Sequence, residues 1–168
     1  YDFGSWKGSG YTGTTIPTFE EFLSCCRSMG LHPYIELKQN GSYTEAQVQG
    51  LVDTVRAYGL KGKVTWISFS DTYLAYVAAY DPTARLGYIT SSVNSTVIST
   101  AQSLQTGSNE VFIDSSIYND SACALCQAAD IPLEVWTVDT ESTITGMNPY
   151  VSGITSNSLI AGKVLYQS

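Results

Sequence analysis

Residues 33–42 read Pro33-Tyr34-Ile35-Glu36-Leu37-Lys38-Gln39-Asn40-Gly41-Ser42, a short strand-like run followed by a turn that holds one glycine. Runs of the same apolar kind recur at 64–69, 85–89, 110–114, 133–138 and 152–155. Amphipathic stretches near 44–58, 71–80, 92–105, 119–129 and 140–147 separate them, and further helices are predicted over 18–29 and 157–166. Thr18-Phe19-Glu20-Glu21 has the form of a capping box, with Thr18 as N-cap and Glu21 three residues on. Pro17 keeps that helix from extending backwards, and Gly30 and Gly59 stand where helices end. Six strands joined by helical crossovers pair in parallel, because antiparallel neighbours need only tight turns. Two architectures satisfy this, an open doubly wound sheet and a (β/α) barrel. The open sheet usually carries a glycine-rich phosphate loop after its first strand. Residues 38–42 contain neither GxGxxG nor GxxxxGK[ST], so the reading is a barrel with six of eight strands.

Residues 1–15 are rich in Gly, Ser and Thr, begin with Tyr1, and contain no basic-then-apolar leader. They read as the tail of an upstream loop. The expectation is therefore one incomplete barrel domain, 1–168, that lacks its first two strands. Two parallel edges would then be left for further strands or self-association to cover.

Composition agrees with a single domain: 168 residues, 43% hydrophobic and only 14% charged, against a usual charged share of roughly 25%. No apolar run approaches the roughly 18–20 residues that cross a bilayer. The net charge is −7, the pI is near 4.4, and no Lys/Arg cluster tracks a phosphate backbone, so a nucleic-acid partner is not expected. Cys25-Cys26 and Cys123-x-x-Cys126 lack the second pair or the nearby histidine that would complete a zinc site, and the latter pair lies on one predicted helix face. They read as packed thiols, which leaves the redox compartment open and allows an extracytoplasmic one. His32, the single histidine, precedes its strand by four residues relative to Glu36, or roughly 13 Å at about 3.3 Å per residue. It reads as a loop or capping residue.

In a parallel α/β fold, reactive groups gather at the C-terminal ends of strands. Those ends carry Glu36 and Lys38, Phe69 and Asp71, Tyr88 and Thr90, Asp114, Trp136 and Asp139, and Thr155 to Asn157. Glu36 and Lys38 are two apart, so they face the same side, and burying such a pair is costly unless each is matched. A carboxylate can hold a divalent cation while a lysine neutralises a phosphate oxygen during displacement. Trp136 adds an apolar wall for a small polyol or headgroup.

Ile16-Pro17-Thr18-Phe19-Glu20-Glu21-Phe22-Leu23, Ile35-Glu36-Leu37-Lys38 and Ile67-Ser68-Phe69 resemble the glycerophosphodiester phosphodiesterase family. Leu86-Gly87-Tyr88, Val135-Trp136-Thr137-Val138-Asp139-Thr140 and Gly153-Ile154-Thr155-Ser156 continue the resemblance in order and spacing. It implies a TIM-type barrel of the PLC-like phosphodiesterase kind that hydrolyses glycerophosphodiesters to glycerol 3-phosphate and an alcohol with a divalent cation, Ca²⁺ or Mg²⁺. By the same resemblance Glu36 matches the metal-ligating carboxylate and Lys38 the lysine that contacts phosphate. Trp136 matches the lining of the glycerol side, and Phe69 a pocket wall. Two departures stand out. Ser156-Asn157-Ser158 occupies the place of an Asp often followed by Arg-Pro. The family's His-Arg pair, its E-x-D strand and its second catalytic histidine are not in this sequence, so no catalytic acid or base is assigned. The chain is thus expected to be the C-terminal part of a catalytic domain, inactive alone, with its N-terminal quarter upstream or on another chain. One alternative is a non-catalytic, barrel-derived binding module. Another is a glycosidase-like pairing of Glu36 with Asp114 or Asp139, disfavoured because Lys38 would lower the acid's pKa.

Overall fold

A computed structural model describes residues 1–159. The final predicted helix, 157–166, lies for the most part outside the described residues. After a loop and one 3-10 turn at Ser9–Tyr11, six helix–strand units follow: α1 (Phe19–Met29), β1 (Tyr34–Glu36), α2 (Glu45–Ala57), β2 (Thr65–Ser68), α3 (Asp71–Tyr80), β3 (Arg85–Thr90), α4 (Ser95–Leu104), β4 (Glu110–Ser115), α5 (Asp120–Ala128), β5 (Leu133–Trp136), α6 (Glu141–Thr145) and β6 (Val151–Thr155). All pairings are parallel and the strand order is β1-β2-β3-β4-β5-β6. The result is a half-barrel of alternating strands and helices, the partial TIM-type barrel that the alternation predicts. Among the described residues no helix is long and apolar enough to cross a membrane.

Local chemistry sets the helix ends. The predicted capping box forms: the Thr18 hydroxyl accepts from the Glu21 N–H, and the Glu21 carboxylate accepts from the Thr18 N–H at 2.8 Å. Thr44 and Gln47 repeat the arrangement on α2, and Ser70, Asn94 and Asn119 cap the next helices. Gly30 closes α1 at φ 66°, a left-handed conformation that favours a residue without Cβ.

The alternation of each strand divides the molecule into two faces. Ile35, Trp66, Leu86, Val111, Ile113, Leu133 and Val135 point outward and are buried against helix residues such as Val48, Leu74, Val77, Ala101 and Cys126. This layer is the apolar core. The inner face is polar below and mixed above. Arg85 on β3 donates to Glu110 of β4 at 2.9 Å and to Glu134 of β5 at 2.5 Å, and its guanidinium lies 4.2 Å over the Phe112 ring. Tyr34 of β1 accepts from Arg85 at 2.9 Å and donates to Glu134 at 3.1 Å. The sheet is therefore curved enough for side chains of β1 and β5 to meet.

Two glycines make room for this interior. A Cβ on Gly153 would lie 2.7 Å from Glu134 Cδ, and one on Gly87 would lie 2.3 Å from Phe112 Cζ and 2.8 Å from Ile67 Cγ2. Phe112 is fully buried and its ring cannot bend away, so Gly87→Ala is expected to destabilise the fold by about 1–3 kcal/mol through overpacking. Urea denaturation checks this, with a midpoint equal to that of the wild type as the contrary result.

Candidate active-site cavity

The parallel register brings all C-terminal strand ends to one end of the sheet. There Glu36, Lys38, Phe69, Asp114, Trp136 and Asn157 share a cavity of about 480 Å³. Its size is within the ordinary range for small-molecule sites. All four residues assigned by resemblance, Glu36, Lys38, Phe69 and Trp136, are thus brought together. Lys38 lies just past β1, where Leu37 has left the regular strand, but the Leu37 N–H still donates to Ile67 O at 2.9 Å and Leu37 O accepts from the buried Ser68 hydroxyl at 2.6 Å. These bonds hold the Glu-x-Lys segment extended, with both charges inward. Lys38 Nζ donates to Glu36 Oε2 at 2.5 Å, although the lysine side chain is 66% exposed. An exposed pair of this kind contributes little to stability. Its effect is to aim the ammonium.

Phe69 and Trp136 meet edge to face, with ring centroids 6.1 Å apart. The Trp136 indole N–H donates to the Asp114 carbonyl at 3.2 Å, which fixes the ring against β4. The peptide between Trp136 and Thr137 is cis. Opposite, Asp139 accepts from the Asn157 N–H at 2.7 Å and its side-chain amide at 3.0 Å, and from the Ser156 hydroxyl at 3.0 Å. The Asn157 bonds, the backbone N–H first, hold the Asp139 carboxyl below its usual range. The Ser-Asn-Ser departure from the family pattern thus forms a tethered loop that places Asn157 on the cavity wall.

Asp114 is the group whose importance the sequence understated. It is 4% exposed, and its Oδ1 accepts no hydrogen bond among the described residues. Burial is the largest influence on it. The charges of Glu134, its register partner on β5, and of Glu36 add to that, and Arg85 opposes them; the carboxyl is pushed up to about 6. The other strand-end candidates, Asp71, Tyr88, Thr90 and Asp139, do not line the cavity, whereas Ile67, Ile89 and Thr155 do. His32 stands at the opposite, N-terminal end, its ring within hydrogen-bonding distance of the Thr65 hydroxyl at 2.9 Å, as the loop reading implied. All four cysteines are free. Burial pushes the Cys126 thiol up to about 11, so it is not a thiolate, and it packs in the core.

A larger hollow of about 810 Å³ lies between β1 and β6, lined by Tyr34, Arg85, Glu134 and Gly153. The polar groups of that hollow bind one another, so the smaller cavity, with its unmatched carboxylate, is the better ligand site. For a divalent cation the fit is incomplete. Such ions take about six oxygen ligands or more, and no cluster of three or more metal-ligating side chains occurs among the described residues. Glu36 by itself does not make a cation site.

The sequence model described as the glycerophosphoryl diester phosphodiesterase family matches residues 2–159. The chain belongs to that family. Its fold matches a protein from Silicibacter pomeroyi assigned to the glycerophosphoryl diester phosphodiesterases, with a TM-score of 0.74 and 18% identity over 93% of this chain and 58% of the other. It also matches a glycerophosphodiester phosphodiesterase from Parabacteroides distasonis, with a TM-score of 0.68 and 18% identity over 90% of this chain and 64% of the other. An Oleispira antarctica phosphodiesterase, solved with its product sn-glycerol 3-phosphate, gives a TM-score of 0.72 and 22% identity over 98% of this chain and 66% of the other. No curated protein matches the sequence. The chain thus spans roughly three-fifths of the first of these structures, and identities this low establish the shared fold.

The state of Asp114 sets a pH dependence. Because its folded-state pKa is raised to about 6, the folded chain keeps a proton that the unfolded chain loses near pH 4. The stability this provides is fully present below about pH 4 and is lost as pH rises through about 6. Asp114→Asn, neutral throughout, should raise the unfolding free energy by about 1–3 kcal/mol at about pH 7.5 and by almost nothing at about pH 4. Urea titrations at both pH values measure the difference.

Proposed function

We propose that this domain serves glycerophosphodiester hydrolysis to glycerol 3-phosphate and an alcohol, with the cavity at the strand ends as its phosphodiester site. The supporting observation is the convergence of Glu36, Lys38, Phe69 and Trp136 on that one cavity in a chain of this family. Lys38, aimed by Glu36, would meet a phosphoryl oxygen and neutralise the charge that grows on it in the transition state. Phe69 and Trp136 would form the apolar wall against which the substrate's carbon chain lies. Glu36 is the carboxylate this chain would contribute to a Ca²⁺ or Mg²⁺ ion, the remaining ligands coming from outside the described residues. A non-catalytic binding module is the second reading. It is favoured by the position of His32, which stands at the opposite end of the strand from the cavity.

Two outcomes are expected. Calorimetry of residues 1–168 should show Ca²⁺ and Mg²⁺ binding no tighter than about millimolar, because Glu36, even with Asp114 in the same cavity, supplies too few of about six oxygens; micromolar affinity would refute this.

The other concerns phosphate binding and turnover. Residues 1–168 alone should release no measurable glycerol 3-phosphate from glycerophosphocholine or glycerophosphoethanolamine, with or without added Ca²⁺ or Mg²⁺, since general acid–base assistance alone contributes about 10²–10⁴ in rate. They should still bind sn-glycerol 3-phosphate weakly, as read by NMR at the Trp136 indole N–H. Lys38→Ala should weaken that binding by about tenfold or more, the value of one charge-assisted contact. An unchanged affinity would remove Lys38 from the phosphate site. In a longer protein that completes the barrel, chelator-sensitive turnover selects the enzyme, and binding without turnover selects the module.

A further inference from the structure

Among the described residues, every carboxylate but one on the inside of the sheet has an ion-pair partner. Glu134 and Glu110 hold Arg85, and Glu36 holds Lys38. Asp114 lines the cavity beside them, 4% exposed, with an Oδ1 that accepts no hydrogen bond among the described residues. Buried carboxylate oxygens are nearly always bonded, and one without a donor carries the whole cost of its desolvation. None of the donors of the surrounding wall, the Thr137 and Thr155 hydroxyls included, bonds that oxygen. The Trp136 indole donates to the Asp114 backbone carbonyl, the Asn157 amide to Asp139, and the Lys38 ammonium to Glu36. As part of the cavity wall, the Asp114 carboxyl can meet a donor that enters with the ligand.

We propose that Asp114 is the hydroxyl-reading residue of the cavity: a ligand whose phosphate meets Lys38 would present the hydroxyl groups of a polyol to the Asp114 carboxyl. This rests on the phosphodiester reading of the same site. Two features favour a neutral hydroxyl over a cationic headgroup. Glu36 and Glu134 are each already ion-paired, with Lys38 and Arg85, so neither is free to hold a cationic headgroup beside Asp114. An aromatic ring is also held against the same residue, since the Trp136 indole N–H donates to the Asp114 backbone carbonyl. A ring face for C–H groups with a carboxyl for the adjacent hydroxyls is an arrangement suited to a polyol. A site built to bond a hydroxyl discriminates strongly against the analogue without it, because its polar group is then left unmatched.

The experiment compares sn-glycerol 3-phosphate with 1-propyl phosphate, which has the same carbon chain and phosphate but no hydroxyls. Both are titrated into residues 1–168 and read at the Trp136 indole N–H, with the buried Trp66 indole reporting that the fold is intact. The wild type should prefer the glycerol ligand by about tenfold or more. Asp114→Leu should bring the ratio to about one with propyl phosphate still bound, and Asp114→Asn, which keeps an acceptor oxygen, should retain part of the preference. Equal affinities in the wild type, or a preference that survives Asp114→Leu, overturn this role for Asp114 while leaving the phosphate site standing. Binding of neither ligand overturns the phosphodiester reading, and this inference with it.

Discussion

The interior of the half-barrel is organised by one cation. The Arg85 guanidinium draws Glu110, Glu134 and Tyr34 towards a single point and rests on the Phe112 ring, joining β1, β3, β4 and β5 across their inner faces. Removing one partner of such a group leaves an uncompensated charge, so its members must be present together. The cluster also requires space. Gly87 and Gly153 supply it, one beneath the Phe112 ring and the other beside the Glu134 side chain. The two glycines and the one arginine are parts of a single packing solution.

That solution separates stability from chemistry. The outward residues form a continuous apolar layer with the helices, and this layer holds the fold. The inner face contributes less apolar area but decides where charge can lie. Below, Arg85 satisfies the carboxylates near it. Above, the strand ends pass the reach of that cation, and Asp114 remains unmatched in a cavity walled by Phe69 and Trp136. The chemical character of the cavity thus follows from how much of the acidic interior one guanidinium can neutralise.

Much of this was legible in the sequence. The six apolar runs became the six strands, because an outward residue at every second position needs only local alternation to be recognised. Their ends were read too long at 33–38 and 133–138, since Leu37 and Val138 keep strand-like bonds after the regular ladder has stopped. The shared side of Glu36 and Lys38 followed from their spacing of two, and the burial of Ile35 and Leu37 in the outer core makes it the inner side. Asp114 was legible as a strand-end residue and no further. Whether it has a partner depends on Arg85 being held by Glu110 and Glu134, which stand 25 and 49 residues away in the chain. The placement of Asn157 similarly depends on Asp139, 18 residues before it. Contacts at such separations leave no local pattern.

On the phosphodiester reading, phosphate recognition and proton transfer would be divided in this chain. Groups suited to bind a phosphoryl oxygen, a carbon chain and a hydroxyl all stand at the C-terminal ends of consecutive parallel strands, where the register places them without any special loop. The one imidazole stands at the other end of β1, bonded to Thr65, where burial and the charge of Arg85 lower its pKa. A base depressed in this way is neutral near physiological pH, but it cannot reach a leaving group bound beside Lys38. On that phosphodiester reading, the half-barrel would carry the recognising part of the site on its own strands, and general acid–base assistance would have to come from groups other than His32.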